Sequence, residues 1–232
     1  MNAEVSPHST FRGIYRLVME DGSERIATLN LSPGRAVYGE RLVRTDGEEY
    51  RVWDPFRSKL AAAILKGLRT LPIGEGDRVL YLGAASGTTA SHVSDIVGEK
   101  GIVYCVEFSP RSIRDLIDNV CRFRANMAPI LADARFPSRY ASLVGMVDAI
   151  YCDIAQPEQA KILADNARAF LKRGGWIMLA VKARSIDVTK EPSEVYRREI
   201  SVLRREGFEI SEVIDLEPYE KDHVMVTAKY KA

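Results

Sequence analysis

Several residues with chemical potential fall where apolar runs of the chain give way to polar ones. Leu80-Tyr81-Leu82-Gly83-Ala84-Ala85-Ser86-Gly87-Thr88-Thr89 follows a strand-like run and opens a helical one. Small residues there let the backbone approach a ligand closely. Glu107 closes the next apolar run, Asp133 follows the third and Asp153 the fourth. An acid in the place of Glu107 suits ribose hydroxyls, and one in the place of Asp133 suits the exocyclic amine of adenine. Taken singly, each is as readily a solvated loop carboxylate, and the glycine loop a tight turn. Their succession at consecutive strand ends points to a nucleoside-containing ligand.

The loop also selects among such ligands. A nicotinamide site would want G-x-G-x-x-G, and Ala85 stands at the second glycine position. No phosphate-binding lysine of the P-loop kind follows. The pattern fits S-adenosylmethionine better.

A second set comes from four separate places: Lys59, Asp153, Lys182 and His223. Lys182 ends the apolar run Ile177 to Val181, an unusual place for a residue that resists burial. For Lys59 and His223 alone, a solvated surface role is the simpler reading. Methyl transfer to a weak nucleophile such as a ribose hydroxyl gains from removing its proton or stabilising the developing alkoxide. Lys182 is the candidate for either task. A basic role needs a neutral amine, which the charge of Lys59 favours and that of Asp153 opposes. Asp153 would orient the lysine or the methyl group, and His223 would bond the substrate ribose or relay a proton.

These residues require a scaffold that brings strand ends to one rim. Strand-like runs at Arg78 to Gly83, Ile102 to Glu107, Met127 to Leu131, Val147 to Cys152 and Trp176 to Lys182 alternate with helical runs. The helices are predicted at Thr88 to Val97, Arg111 to Arg122, Pro157 to Leu171, and from Pro192 to near Gly207. Phe208 to Leu216 and His223 to Tyr230 form a closing antiparallel hairpin. The expected fold is α/β and Rossmann-like, a mostly parallel seven-stranded sheet of the class I methyltransferase type. Ahead of it, Phe11 to Glu20, Arg25 to Leu31, Arg41 to Arg44 and Glu49 to Trp53 read as a small antiparallel β-sheet, with turns at Asp21-Gly22 and Asp46-Gly47. Asp54-Pro55 separates the two parts. This gives a small N-terminal β-sheet domain over 1–55 and a methyltransferase domain over 56–232. Leu60, Ile64, Leu68 and Leu71 predict the helix that joins them.

Composition narrows the function further. No apolar run nears the roughly 20 residues of a membrane span, and the polar stretch Met1 to Thr10 lacks a signal-peptide layout. A cytoplasmic protein is expected. Cys105, Cys121 and Cys152 have no metal-ligand spacing and read as core residues. Net charge is +1, too little for a protein that grips RNA unaided.

Five segments together resemble the fibrillarin family over nearly the whole chain. They are Gly83 to Thr89, Val106-Glu107-Phe108-Ser109-Pro110-Arg111, Asp153-Ile154-Ala155-Gln156-Pro157, Val181 to Asp187, and Leu216 to His223. No glycine- and arginine-rich tail is present, so the similarity is to the short, archaeal-type form. The resemblance implies RNA 2′-O-methylation within a box C/D ribonucleoprotein, where guide RNA selects sites in ribosomal and transfer RNA. It implies a Nop-type scaffold protein and a kink-turn-binding protein as partners. It also implies catalytic roles for Lys59, Asp153, Lys182 and His223. Cofactor contacts would come from Gly83, Ala84, Ala85, Ser86, Gly87, Thr88, Thr89, Glu107, Phe108, Asp133, Ala134, Asp153 and Gln156, and no metal is expected. Cys152 stands before Asp153 where the family pattern would place an acid. The competing readings are a methyltransferase for small molecules or proteins, and a non-catalytic scaffold. Lys182 with Asp153 argues against the first and the intact loop against the second.

Overall fold

The structure, a computed structural model, describes residues 4–231; the ends of the two expected domains at 1–3 and 232 lie outside it. Five short strands come first: β1 (Glu4–Pro7), β2 (Ile14–Val18), β3 (Glu24–Leu29), β4 (Leu42–Thr45) and β5 (Glu48–Val52). They form an antiparallel sheet in the order β1-β2-β3-β5-β4. Asp46 and Gly47 both have positive φ, 52° and 82°, as a two-residue hairpin turn demands. At Asp21-Gly22 only the glycine does. There the connection is wider, with Gly22 N–H donating to Met19 C=O and Met19 N–H to Ser23 C=O. β1 was not expected from the polar N-terminus. Pairing, not composition, makes it a strand, and as an edge strand it tolerates Pro7.

The rest alternates: α1 (Lys59–Leu65), β6 (Arg78–Leu82), α2 (Thr88–Val97), β7 (Ile102–Glu107), α3 (Pro110–Asn119), β8 (Met127–Leu131), β9 (Val147–Cys152), α4 (Gln159–Phe170), β10 (Leu171–Lys182), α5 (Ala183–Ile186), α6 (Pro192–Arg205), β11 (Phe208–Asp215) and β12 (His223–Tyr230). The seven strands lie in the order β11-β12-β10-β9-β6-β7-β8, and β12 alone runs antiparallel to the others. Strand order reverses between β6 and β9, the crevice where ligands of open α/β sheets bind.

Two expectations need correction. The helix predicted through Leu71 stops at Leu65, because Gly67, at φ 89°, closes it. Leu68 N–H donates to Ala63 C=O and Gly67 N–H to Ile64 C=O, which consumes the last carbonyls and tucks Leu68 into the core. β10 begins at Leu171 rather than Trp176, since Leu171 already pairs with Val147 and the residues up to Trp176, with Gly174 at φ 71°, bulge out before pairing resumes at Ala149. No helix among the described residues is long and apolar enough to cross a membrane.

The two sheets share a core. Phe11, Ile14, Ile26 and Trp53 of the N-terminal part pack in one cluster with Leu60, Val79, Ala90 and Ile96. A buried polar network fastens the same contact. The Arg51 guanidinium donates to Glu40 at 2.7 Å, to Asp95 at 2.7 Å and to Ser91 at 2.8 Å. Arg124 donates to Asp95 from the other side and to Asn30 at 3.1 Å. Thr28 donates its hydroxyl proton to Asp95, so His92 Nδ1, 2.7 Å from the Thr28 oxygen, is the donor there. His92 Nε2 is then left to accept from Tyr38. Burial, and then the charges of Arg51 and Arg124, push the His92 pKa well below 6.5.

Removing one member of a buried ion network strands the others. We expect Asp95→Ala, which leaves Arg51 and Arg124 facing each other, to cost about 3–5 kcal/mol in denaturant unfolding. The depressed His92 pKa has its own sign. The unfolded ring takes a proton below about 6.5 that the folded ring refuses. This contribution is therefore complete above that pH and is lost below it, on the order of 1 kcal/mol per pH unit. Unfolding free energies measured between pH 7.5 and 5.5 should fall accordingly, with a shallower slope in His92→Gln.

Candidate active site

Asp153 is the meeting point of the site. Its backbone follows β9 and its N–H donates to Leu82 C=O at the end of β6, 2.9 Å away. A Cβ on Gly83 would stand 2.8 Å from the Asp153 carbonyl oxygen, and Gly83 holds φ 81°. Only glycine permits both the backbone angle and the approach. The turn of β6 into α2 thus lies directly against the turn of β9 into α4.

Two lysines converge on this aspartate. Lys59, first residue of α1, places Nζ 3.3 Å from Asp153 Oδ1, and Lys182, last of β10, places Nζ 2.8 Å from the same oxygen. Lys182 Nζ also donates to the Asp153 carbonyl at 2.9 Å. Asp153 Oδ1 meets both ammonium groups as charge contacts without an aligned hydrogen bond. All three side chains are mostly buried, which raises the strength of the contacts. Lys59 is held by its helix start. Ser58 caps α1 and accepts from Thr89 in α2 at 2.9 Å.

His223 arrives by strand register. It is the direct antiparallel partner of Lys182, so both stand on one face of the sheet. Its Nδ1 lies 2.6 Å from Lys221 C=O, a group that can only accept, so Nδ1 carries a proton and Nε2 is the one ring nitrogen able to act as acceptor.

Beside this quartet is a cavity of about 210 Å³ lined by Gly83, Ala85, Glu107, Phe108, Asp133, Ala134, Asp153, Gln156 and Lys182, among others. The Glu107 carboxylate organises it. Ala85 N–H donates to one oxygen at 2.9 Å and Ser109 N–H to the other at 2.8 Å. Each oxygen retains a lone pair for a ribose hydroxyl. The exposed Phe108 ring stands at the rim. Asp133 is engaged by Arg135, whose guanidinium hydrogen bonds hold its carboxyl below the usual range. An adenine amine would share that carboxylate with Arg135. The donor set fits S-adenosylmethionine, although a cavity this small would enclose it only in part.

The glycine loop divides. Gly83 and Ala85 line the cavity, whereas Ala84, Gly87 and Thr89 are buried in packing. A Cβ at Gly87 would meet Leu116 at 2.6 Å, so this glycine seats α2 against α3. Ser86 and Thr88 are not among the lining residues. Two contributors were missed. Glu220 Oε1 lies 3.6 Å from Lys59 Nζ, inside a segment already noted for His223. Gln159, fully buried, accepts from Lys182 N–H at 3.1 Å and donates to Ile154 C=O at 2.9 Å, tying β10 to the loop after β9. Nothing in its local sequence marks it. The cysteines are core residues. Burial pushes the Cys152 thiol up to about 12 and that of Cys121 to about 11, and both remain protonated.

Comparison with known proteins gives a consistent result. A model of the fibrillarin family matches residues 5–232. A fibrillarin-like rRNA/tRNA 2′-O-methyltransferase of Methanopyrus kandleri is 60% identical over 98% of this chain and 97% of its own. The crystal structure of Aeropyrum pernix fibrillarin with natively bound S-adenosyl-L-methionine is 59% identical, with a TM-score of 0.92, covering 98% of this chain and 99% of that one. Fibrillarin from a complex with Nop5p is 45% identical with a TM-score of 0.82, over 95% and 98% of the two chains. With its strand order, strand-end acids and lysine-flanked aspartate in place, the chain belongs to the fibrillarin family.

Proposed function

We propose that this protein is an S-adenosylmethionine-dependent RNA 2′-O-methyltransferase. It acts on guide-selected nucleotides of ribosomal and transfer RNA, as part of a cytoplasmic box C/D ribonucleoprotein. The observation that carries this reading is Asp153 held between Lys59 and Lys182 at the lip of the cofactor cavity. A substrate that is already nucleophilic needs no such array. The M. kandleri relative bears the corresponding name, and the Nop5p complex of a relative supports a Nop-type scaffold as partner. Guide RNA and a kink-turn-binding protein complete the assembly. A formal charge of +1 agrees with RNA affinity delegated to those components. Residues 1–55 serve as the small β-sheet domain and 56–232 as the methyltransferase domain.

S-adenosylmethionine, when bound, supplies an electrophilic methyl group on sulfur. Glu107 takes its ribose hydroxyls, Asp133 its adenine amine, and Phe108, Ala134 and Gln156 the walls around them. Gly83 and Ala85 supply the close backbone floor. As the substrate 2′-oxygen forms its new bond to carbon, it must release a proton. Lys182, engaged by two oxygens of Asp153, is a fixed positive charge for the developing alkoxide. Lys59 adds a second charge and, through Glu220, fixes the loop ahead of His223. His223 Nε2 is the acceptor left over, on the face of the sheet that Lys182 occupies.

Methyl transfer from labelled cofactor to a guide-paired RNA, with and without a 2′-deoxy target, tests the reading. Transfer to the deoxy target would overturn it. We expect Lys182→Ala to lower kcat by about 10²-fold or more while cofactor affinity stays within a few-fold. Lys182→Arg, which retains the charge but cannot serve as a base, should recover part of the rate. An inactive arginine variant would return the proton-acceptor role to Lys182. Glu107→Ala should weaken cofactor binding on the order of 10- to 100-fold by calorimetry, and unchanged affinity would remove its ribose role.

A further inference from the structure

The catalytic quartet stands between two cavities that share no lining residue. Asp153 and Lys182 line the cofactor side. Lys59 reaches the other way, to Glu220, whose neighbour Tyr219 lines a second cleft of about 730 Å³. That cleft runs between the N-terminal sheet, the Asp54–Arg57 link and Leu65 at the end of α1, and Tyr38, Trp53, Phe56 and Arg57 form its other notable walls.

Its rim has an unusual composition. Phe56 leaves 64% of its surface exposed and meets the Tyr219 ring edge-on at 5.2 Å. The ring is set there by the chain, since Phe56 N–H donates to Asp54 Oδ1 at 2.9 Å across the Asp54-Pro55 turn. Arg57 lies 5.5 Å over the Tyr38 ring and makes no salt bridge among the described residues. An exposed Phe56 against a half-buried Tyr219, beside an arginine without an ion pair among the described residues, is chemistry that receives a sugar or base on one side and phosphate on the other, although Glu24, Glu40 and Asp54 also line the cleft.

We infer that this cleft is a subsite for the substrate RNA strand next to its target nucleotide. Phe56 and Tyr219 pack on the sugar and base of a flanking nucleotide, and Arg57 meets its phosphate. The inference rests on the proposed RNA 2′-O-methylation. A strand that presents a 2′-hydroxyl to Lys182 must continue past the quartet, and the cofactor occupies the other side. Phe56 stands within about 10 Å of Lys59 along the chain, close enough for a nucleotide adjoining the target to reach it. A net charge of +1 supplies little overall attraction for RNA, so local contacts such as these gain weight in aligning the strand. A protein partner on the same aromatic rim is the alternative that the experiment separates.

The test uses the reconstituted ribonucleoprotein with Phe56→Ala, Arg57→Ala and Phe56→Trp. We expect Phe56→Ala and Arg57→Ala to raise the KM for guide-paired RNA on the order of 10-fold, with cofactor affinity and scaffold assembly unchanged. Phe56→Trp should restore the KM. In the unsubstituted complex, 5-iodouridine placed beside the target should photo-crosslink to Phe56 or Tyr219, a readout independent of how any variant folds. An unchanged KM without crosslinks overturns the subsite, as does loss of scaffold assembly in its place. Failure of the unsubstituted enzyme to methylate any 2′-hydroxyl overturns the proposed function and the subsite with it. Transfer that proceeds without crosslinks or KM change removes the subsite alone.

Discussion

The backbone contact between Gly83 and Asp153 underlies the whole site. In a sheet whose strand order reverses between the parallel strands β6 and β9, the chain turns away from their ends into α2 and α4. The crevice stays narrow because Gly83 lacks a Cβ, which lets the Asp153 carbonyl lie 2.8 Å from where that atom would be. That carbonyl then accepts from Lys182, and the carboxylate on the same residue receives both lysines. One aspartate thereby joins the floor of the cofactor cavity to the charges at its mouth. A bulkier residue at position 83 would displace both together.

Two cations on one anion leave the cluster with a net positive charge in a mostly buried place. Isolated, this would be costly. Glu220 relieves it from the solvent side of Lys59, and the Asp153 carbonyl relieves Lys182. Glu220 balances the count but does so at Lys59, and Lys182, which lines the cavity, remains placed for an anion that forms there, the demand an attacking 2′-oxygen makes. Electrostatic stabilisation of this kind works because its groups are held before the reaction begins. Gln159, Ser58 and the β10–β12 register do that holding.

Much of the site was legible because strand ends can be read from apolar runs. Glu107, Asp133, Asp153 and Lys182 each follow such a run, and the parallel sheet carries them to one rim. Phe108, Ala134 and Gln156 rested on the family resemblance rather than on pattern. Other features escaped for physical reasons. Which strand pairs with β10 is a matter of tertiary register, so the juxtaposition of Lys182 with His223 was not visible. Nothing in the local sequence marks Arg51 and Arg124 as buried, yet they are, paired with Asp95 from far along the chain. The helix at Lys59 was overextended because Leu68 keeps helical spacing while following a glycine closure. β1 carries no apolar signal at all, and Gln159 acts only through contacts distant in sequence.

The helix α2 connects these observations. Ordinary surface helices bury an apolar stripe, whereas α2 also buries Thr89, Ser91, His92, Ser94 and Asp95. Each polar group has a task at a different end of the molecule. Its first turn leaves the glycine loop and, through Thr89 and Ser58, sets the start of α1 and hence Lys59. Its middle holds the N-terminal sheet through Ser91, His92 and Asp95. The N-terminal sheet in turn supplies Val52 and Trp53 to the wall of the cleft beside Phe56. Glycine loop, Lys59 and outer cleft are thus referenced to one helix whose polar core cannot slide without breaking buried hydrogen bonds. The small sheet therefore bears on the site mechanically: it holds α2, and α2 through Thr89 and Ser58 sets the start of α1.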